Sequence, residues 1–177
     1  MLQDIYGGLI IHTANSNLPS TNSDLLQILL KRQTPVVFIN SAPSDIYNPT
    51  LISLDNYSKG YLMARKLINI GHKTLGGIFV NNDIASVKAF SGFIDAIRDA
   101  SLTINDDYFL WCNYKDPLGI SSRSPASINR FLKNTFEKVS AVYCDDNRIT
   151  SSGSYQLVSC DLSPARSIGK ECAKAIL

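Results

Sequence analysis

The stretch that decides the fold is LISLDNYSKGYLMARKLINIGHKTLGGIFV, residues 51–80. A short apolar strand, Leu51–Leu54, is followed by Asp55-Asn56 and then by a pattern typical of an amphipathic helix. A second apolar strand, Leu75–Val80, is followed by Asn81-Asn82-Asp83. The pattern predicts one strand–helix–strand crossover with polar residues after both strands. In an open parallel sheet, ligands bind at the carboxyl ends of the strands.

Within this stretch the order is strand, Asp-Asn, three residues, Gly, three residues, Ala, two residues, Leu, three residues, Gly-His, strand. Seven positions carry it: Asp55, Asn56, Gly60, Ala64, Leu67, Gly71 and His72. This pattern resembles the effector-binding domain of the lactose/galactose-repressor family. Four further segments, VVFINSA, GIFVNND, VKAFSGFIDA and AVYCDDNRI, are most similar to bacterial arabinose-responsive repressors. The similarity runs from about Gly7 to Leu177.

Outside the central stretch, strands and helices alternate. We predict strands at 5–12, 36–39, 107–113, 141–144 and 155–159, and helices at 25–32, 86–100, 125–138 and 166–177. The strands are continuously apolar, which argues for parallel sheets covered on both faces. This α/β inference does not depend on the resemblance.

The resemblance implies a two-lobed, periplasmic-binding-protein-like fold with parallel sheets and the effector in the cleft. The expected first lobe is about 1–81 plus 165–177, and the second about 82–159. We expect the domain to be incomplete, without its first strand and helix and without the separate DNA-binding domain, which is a winged helix in the arabinose-repressor type.

Two places look too short for this architecture. Only Arg148–Ser154 separates a strand from the next one, whereas a parallel crossover takes about a dozen residues or more. Residues 161–165 leave no room for a further strand. Missing residues are the favoured explanation, and a natural deletion is the alternative.

Bulk composition narrows the function. The 177 residues suggest one domain, the net charge is +2, and Lys and Arg form no basic stripe of the kind that binds nucleic acid. No run approaches the roughly 18 apolar residues of a membrane helix, and the start lacks a signal peptide. Cys112, Cys144, Cys160 and Cys172 are far apart and are expected to be free thiols, most of them buried, in a reducing cytoplasm.

The first candidates for effector contacts are Asp146 and Asp161, each just after an apolar strand. A carboxylate can accept two hydroxyl hydrogen bonds from a sugar. The corresponding positions of the resembled family contact the effector. Their alternative role is helix capping or turn formation.

A second group is Asn82, Asp83 and Lys88, at and near the start of a predicted helix. The family has a basic residue three positions before the Gly that is Gly92 here, but this chain has Ala89 there and Lys88 one residue earlier. That shift leaves the identity of the sugar open. The ammonium of Lys88 could donate to sugar hydroxyls or pair with Asp146 or Asp161 across the cleft. The alternative is a solvated helix residue.

Three further residues complete the candidate set. Asp55 either contacts ligand or caps the following helix, and Asp83 has the same two options. Trp111 and Tyr114 lie on a strand and its exit, where an aromatic ring can stack on a sugar, but core packing is favoured for Trp111. Asn40 and Thr13 are weaker candidates of the same kind.

Catalytic and cofactor motifs are missing. His12 and His72 are the only histidines, and neither has Cys or a carboxylate at zinc-site spacing. There is no Gly-x-Ser-x-Gly elbow, no Gly-x-Gly-x-x-Gly and no Walker loop. We expect no enzyme activity, no metal and no cofactor.

The sequence therefore predicts the effector-sensing and dimerisation domain of a bacterial transcriptional repressor, with L-arabinose as the first guess for the sugar. Its expected partners are a sugar, a second copy of the chain, and operator DNA through the missing domain only. The alternative is a sugar-binding receptor of a transport system.

Overall fold

The computed structural model describes residues 7–13, 20–113, 125–145, 157–159 and 165–176. Its strands are β1 (Leu9–His12), β2 (Val36–Ile39), β3 (Thr50–Ile52), β4 (Leu75–Val80), β5 (Phe109–Cys112), β6 (Ala141–Cys144) and β7 (Val158–Ser159). Its helices are α1 (Ser23–Lys31), α2 (Asn56–Asn69), α3 (Ile84–Asp99), α4 (Pro125–Thr135) and α5 (Ala165–Ile176), with a 3-10 turn at Asp106–Tyr108. The elements follow the predicted order, and their ends shift by a few residues.

The chain divides into two compact units, one of residues 1–54 with 162–177 and one of residues 55–161. The first unit contains a three-stranded parallel sheet in the order β1-β2-β3. On one face, Leu26 of α1 packs with Val36 and Phe38 of β2. Helix α5 contacts β2 and β3.

The second unit contains a four-stranded parallel sheet in the order β5-β4-β6-β7. Helices α2 and α3 cover one face, where Phe79 and Tyr143 meet Phe93. Helix α4 covers the other face, where Ile78 and Val142 meet Leu132. Successive strand residues point to opposite faces, so a sheet buried on both sides needs the unbroken apolar strands seen in the sequence. The predicted parallel sheets are confirmed.

The predicted crossover from β3 through α2 to β4 is wrong. Strand β3 pairs with β2 in the first unit, whereas β4 pairs with β5 and β6 in the second. The chain therefore passes from one unit to the other between Leu54 and Asp55. The expected first lobe of about 1–81 is accordingly too long, because α2 and β4 belong to the second unit. Its other expected part, the C-terminal helix, lies in the first unit as α5.

Helices α2 and α3 pack backbone to backbone at two glycines. A Cβ atom added to Gly60 would lie 1.9 Å from the Ala89 carbonyl oxygen, and one added to Gly92 would lie 2.0 Å from the Tyr57 carbonyl oxygen. Only glycine permits this approach. The hydroxyl of Tyr57 also donates to Asp95, at 2.9 Å, across the same helix pair.

We expect Gly60→Ala to lower the free energy of unfolding by about 3 kcal/mol, because the new methyl group overpacks a backbone contact that has no flexible side chain to move. Gly92→Ala should behave alike. Urea denaturation of each purified variant measures the change.

Gly169→Ala is the control, because Gly169 lies in α5 with nothing within 4 Å of an added Cβ. Alanine there should be neutral or should stabilise by up to about 1 kcal/mol through helix propensity. A Gly60→Ala variant as stable as the parent would contradict the close helix contact.

Candidate functional site

The candidate site is the carboxyl edge of the four-stranded sheet, which we define as the residues after β4, β5 and β6 with the first turns of α2 and α3. Helix α3 follows β4 after residues 81–83, so it begins at this edge. Helix α2 runs back to the start of β4, so its first turn lies at the same edge. Topology alone thus gathers polar residues from distant parts of the chain.

An ion pair stands at the centre of this edge. The ammonium of Lys59, in the first turn of α2, lies 2.9 Å from Oδ1 of Asp145, the residue after β6. The hydroxyl of Tyr143 donates to the same oxygen at 2.8 Å. The side chains of Lys59 and Asp145 are only 17% and 9% exposed. The pair is thus largely withdrawn from water, which strengthens its coulombic attraction.

Tyr143 joins this ion pair to the core. Its ring is fully buried and stacks on Phe93 of α3, with centroids 5.3 Å apart. The backbone N–H of Asp145 donates to the Ile78 carbonyl at 3.1 Å. Asp145 is therefore held by its backbone, by a buried phenol and by a lysine, so its carboxylate is fixed in place before any ligand arrives.

The two aspartates that begin the helices both act as caps. Asp55 accepts the Ser58 N–H at 2.9 Å and the Ser58 hydroxyl at 2.6 Å. Asp83 accepts the Ala85 N–H at 3.0 Å. The Ser58 hydrogen bonds hold the pKa of Asp55 below its ordinary 3.8, with a smaller contribution from the Lys88 ammonium.

Lys88 is exposed on α3. Its positive charge contributes to lowering the pKa of Asp55, a carboxylate of this edge. Its predicted partners, Asp146 and Asp161, lie outside the described residues, as does Tyr114, so pairing with those residues stays a prediction.

Asn82 and Trp111 differ in their surroundings. Asn82 is 8% exposed and follows the end of β4. Trp111 lies in an aromatic cluster, with its ring centroid 4.7 Å from that of Phe90 and 5.8 Å from that of Phe79. These contacts give Trp111 a packing role within the core.

A serine fixes the junction between β4 and α3. The Ser86 hydroxyl, 1% exposed as a residue, accepts the backbone N–H of Val80 at 2.9 Å. This bond satisfies the last donor of β4 inside the core, and it sets the start of α3 relative to the strand end.

The weaker candidates Thr13 and Asn40 belong to the three-stranded sheet of the first unit. The Thr13 hydroxyl lies 3.0 Å from the Ser41 carbonyl, to which it donates. Asn40 adopts a left-handed backbone, with φ of 67°, and its amide nitrogen lies 3.3 Å from Nε2 of His12. Asn40 thus adopts a conformation that non-glycine residues seldom take.

Sequence reasoning missed Lys59 and Asp145. The pattern of strand exits points to Asp146 rather than to Asp145, and Lys59 is one of the three residues between Asn56 and Gly60 that the pattern leaves unspecified. Nothing in the sequence links two residues that are 86 positions apart.

Among the described residues no group of three His, Cys, Asp or Glu side chains could hold a metal ion. Cys112, Cys144 and Cys172 are buried and form no disulfide among the described residues. No helix in the described part of the chain is long and apolar enough to cross a membrane.

Comparisons with known proteins bear on the fold and on the predicted resemblance. No family model matches the chain. A protein named arabinose metabolism transcriptional repressor, from Halalkalibacterium halodurans, is 22% identical over 149 residues, which are 84% of this chain and 39% of that protein. One of the same name from Geobacillus stearothermophilus is 27% identical over 110 residues, covering 62% and 30%.

A solved structure, a sugar-binding transcriptional regulator of the LacI family from Escherichia coli complexed with phosphate, superposes with a TM-score of 0.70 at 13% identity. The superposition covers 96% of this chain and 68% of the E. coli protein's chain. The predicted resemblance and fold are confirmed. The chain spans about two fifths or less of the curated relatives' length.

Acid should remove the stabilisation that the Asp55 cap provides. Because the folded-state pKa of Asp55 is lowered, its contribution is present above the ordinary value of 3.8 and is lost as the pH falls through the folded value. Asp55→Asn keeps a cap but has no charge to titrate. Urea midpoints of parent and variant should differ at neutral pH and converge in strong acid; a constant difference would contradict this assignment.

Lys59→Met should destabilise the fold by about 2–4 kcal/mol, because it leaves the Asp145 carboxylate largely buried without its cation. The double variant Lys59→Met/Asp145→Asn should lose less, since it removes the charge together with its partner. Urea unfolding of the single and double variants gives the comparison. Equal losses of unfolding free energy in the two variants would mean that Lys59 and Asp145 do not interact.

Proposed function

We propose that this chain is the effector-sensing and dimerisation part of a bacterial transcriptional repressor that responds to a sugar, with L-arabinose or a related sugar as the effector. The observation that carries the proposal is the set of hydrogen-bonding side chains at one sheet edge. Asp55, Asp83 and Asp145 supply acceptors there, and Lys59 and Lys88 supply donors. Sugar hydroxyl groups can donate hydrogen bonds to these acceptors and accept hydrogen bonds from these donors.

The names of the relatives favour a regulator over a transport receptor or an enzyme. Both curated relatives are called transcriptional repressors of arabinose metabolism, and the E. coli structure is called a sugar-binding regulator. A regulator of transcription acts in the cytoplasm, which is the compartment we propose here. Buried cysteines that form no disulfide among the described residues suit a reducing setting.

In this proposal, the sugar acts by linkage. It binds one conformation of the protein better than another and so shifts the population towards that conformation. In a homodimer this shift changes the spacing of the parts that bind operator DNA. We assign DNA binding to another part of the whole protein, because these residues have a net charge of only +2 and no basic stripe.

We also propose as effector contacts Asp146 and Asp161, on the strength of the family resemblance, and Asn82 and Tyr114, on the strength of their positions after strands. Asp55 and Asp83 can serve as contacts while they cap their helices. Trp111 is the least favoured member, because its ring already packs against Phe79 and Phe90.

A thermal-shift screen tests the proposed function. The probes are L-arabinose, D-xylose, D-ribose, D-glucose and D-fructose, each over a range of concentrations. A sugar present at about 100 times its dissociation constant should stabilise the protein by about 2.7 kcal/mol. Sucrose at equal concentration controls for a nonspecific osmolyte effect. Absence of a specific shift with every sugar would count against sugar sensing.

A further inference from the structure

We propose that the Lys59–Asp145 ion pair makes the site selective for uncharged sugars over sugar phosphates and sugar acids. This inference rests on the proposed function, because it assumes that the carboxyl edge of the four-stranded sheet binds a sugar. It adds the chemical class of that sugar and names the residues that determine it.

The first step is that Lys59 is already neutralised. An ammonium group near a ligand site is the usual means of binding a phosphate or carboxylate. Here the Lys59 nitrogen lies 2.9 Å from the Asp145 carboxylate, and its side chain is only 17% exposed. An anionic ligand would have to compete with a fixed carboxylate for that ammonium.

The second step is the balance of charge around the pair. The described side chains at this edge include three carboxylates, of Asp55, Asp83 and Asp145, against the ammonium groups of Lys59 and Lys88. Lys88 is exposed to solvent, and its field acts on Asp55. Among the described residues, this edge therefore has no excess of positive charge to attract an anion, and its carboxylates repel one.

The third step is what the pair still offers to a neutral ligand. Tyr143 and Lys59 both bond Oδ1 of Asp145, and within the described residues no bond reaches the other oxygen, Oδ2. That oxygen can accept a hydrogen bond from a sugar hydroxyl. Lys59 also has donors beyond the one directed at Asp145. A hydroxyl uses both kinds of group without adding charge.

Lys59 thus holds the Asp145 carboxylate in place, and its own positive charge is neutralised by that carboxylate. Removing the charge of Asp145 should leave the Lys59 ammonium able to attract an anion. In Asp145→Asn the amide oxygen can still accept from Tyr143, but the ammonium of Lys59 is no longer neutralised. The variant should weaken binding of a neutral sugar and strengthen binding of its anionic counterpart.

The experiment compares matched neutral and anionic probes by calorimetry. D-ribose is paired with D-ribose 5-phosphate, D-glucose with D-glucose 6-phosphate, D-fructose with D-fructose 6-phosphate, and L-arabinose with L-arabinonate. The parent should bind at least one neutral sugar and bind its anionic partner at least about tenfold more weakly. In Asp145→Asn the ratio of the two dissociation constants should move towards the anion by roughly tenfold or more.

Asp107→Asn is the matched control, because it removes the same charge from an exposed turn before β5, at the opposite end of the strands. It should leave the ratio unchanged. The double variant Lys59→Gln/Asp145→Asn lacks the ammonium and should not gain affinity for the anion. If Asp145→Asn fails to fold, Asp145→Ser asks the same question with a smaller neutral side chain.

The outcomes separate this inference from the proposed function. If the parent binds none of the sugars in either form, both fall. If it binds a sugar phosphate or sugar acid as tightly as the neutral sugar, sugar sensing stands and the inference is overturned. The inference is also overturned if Asp145→Asn shifts the ratio of dissociation constants no more than Asp107→Asn does. The same holds if the double variant gains as much affinity for the anion as Asp145→Asn does.

Discussion

The close contact between α2 and α3 is the constraint on which the second unit depends. Gly60 and Gly92 let the two helix backbones touch, and this brings both helices onto one face of the sheet. Larger residues would move the helices apart and open the core around Phe79 and Phe93. The same contact sets where the first turns of α2 and α3 lie. The backbone-to-backbone contact of the two helices therefore helps to fix the geometry of the candidate site.

From this arrangement follows the position of the charges. Lys59 is one residue before Gly60, so the helix contact that needs a glycine also delivers the lysine to the end of β6. Tyr143 then couples the ion pair to the aromatic core through its stack on Phe93. A buried ion pair is no strong source of stability by itself, since desolvation offsets much of the attraction. Its presence at the candidate site is better explained by its effect on the charge of that site.

Much of the fold was predictable because its signals are local. The apolar strand 75–80, the polar residues after it and the cap at Asp83 all lie within ten positions of one another. The partition into two units was not predictable, because β3 and β4 read alike as apolar strands, and only pairing separates them. The candidate site was half predictable for the same reason. Strand exits indicated Asp55, Asn82 and Asp83, whereas the partner of Asp145 lies 86 positions away.

The choice between capping and ligand binding, which the sequence posed for Asp55, Asp83, Asp146 and Asp161, is not exclusive. A carboxylate has two oxygens and about four acceptor positions. Asp83 gives one oxygen to the Ala85 N–H, and Asp145 gives one to both Lys59 and Tyr143. In Asp145 these bonds fix the carboxylate and, within the described residues, leave Oδ2 without a bond, so a ligand would not have to immobilise the side chain. Residues that cap and brace the edge are thus better placed to recognise a hydroxyl than solvated ones, because their conformational entropy is already lost on folding.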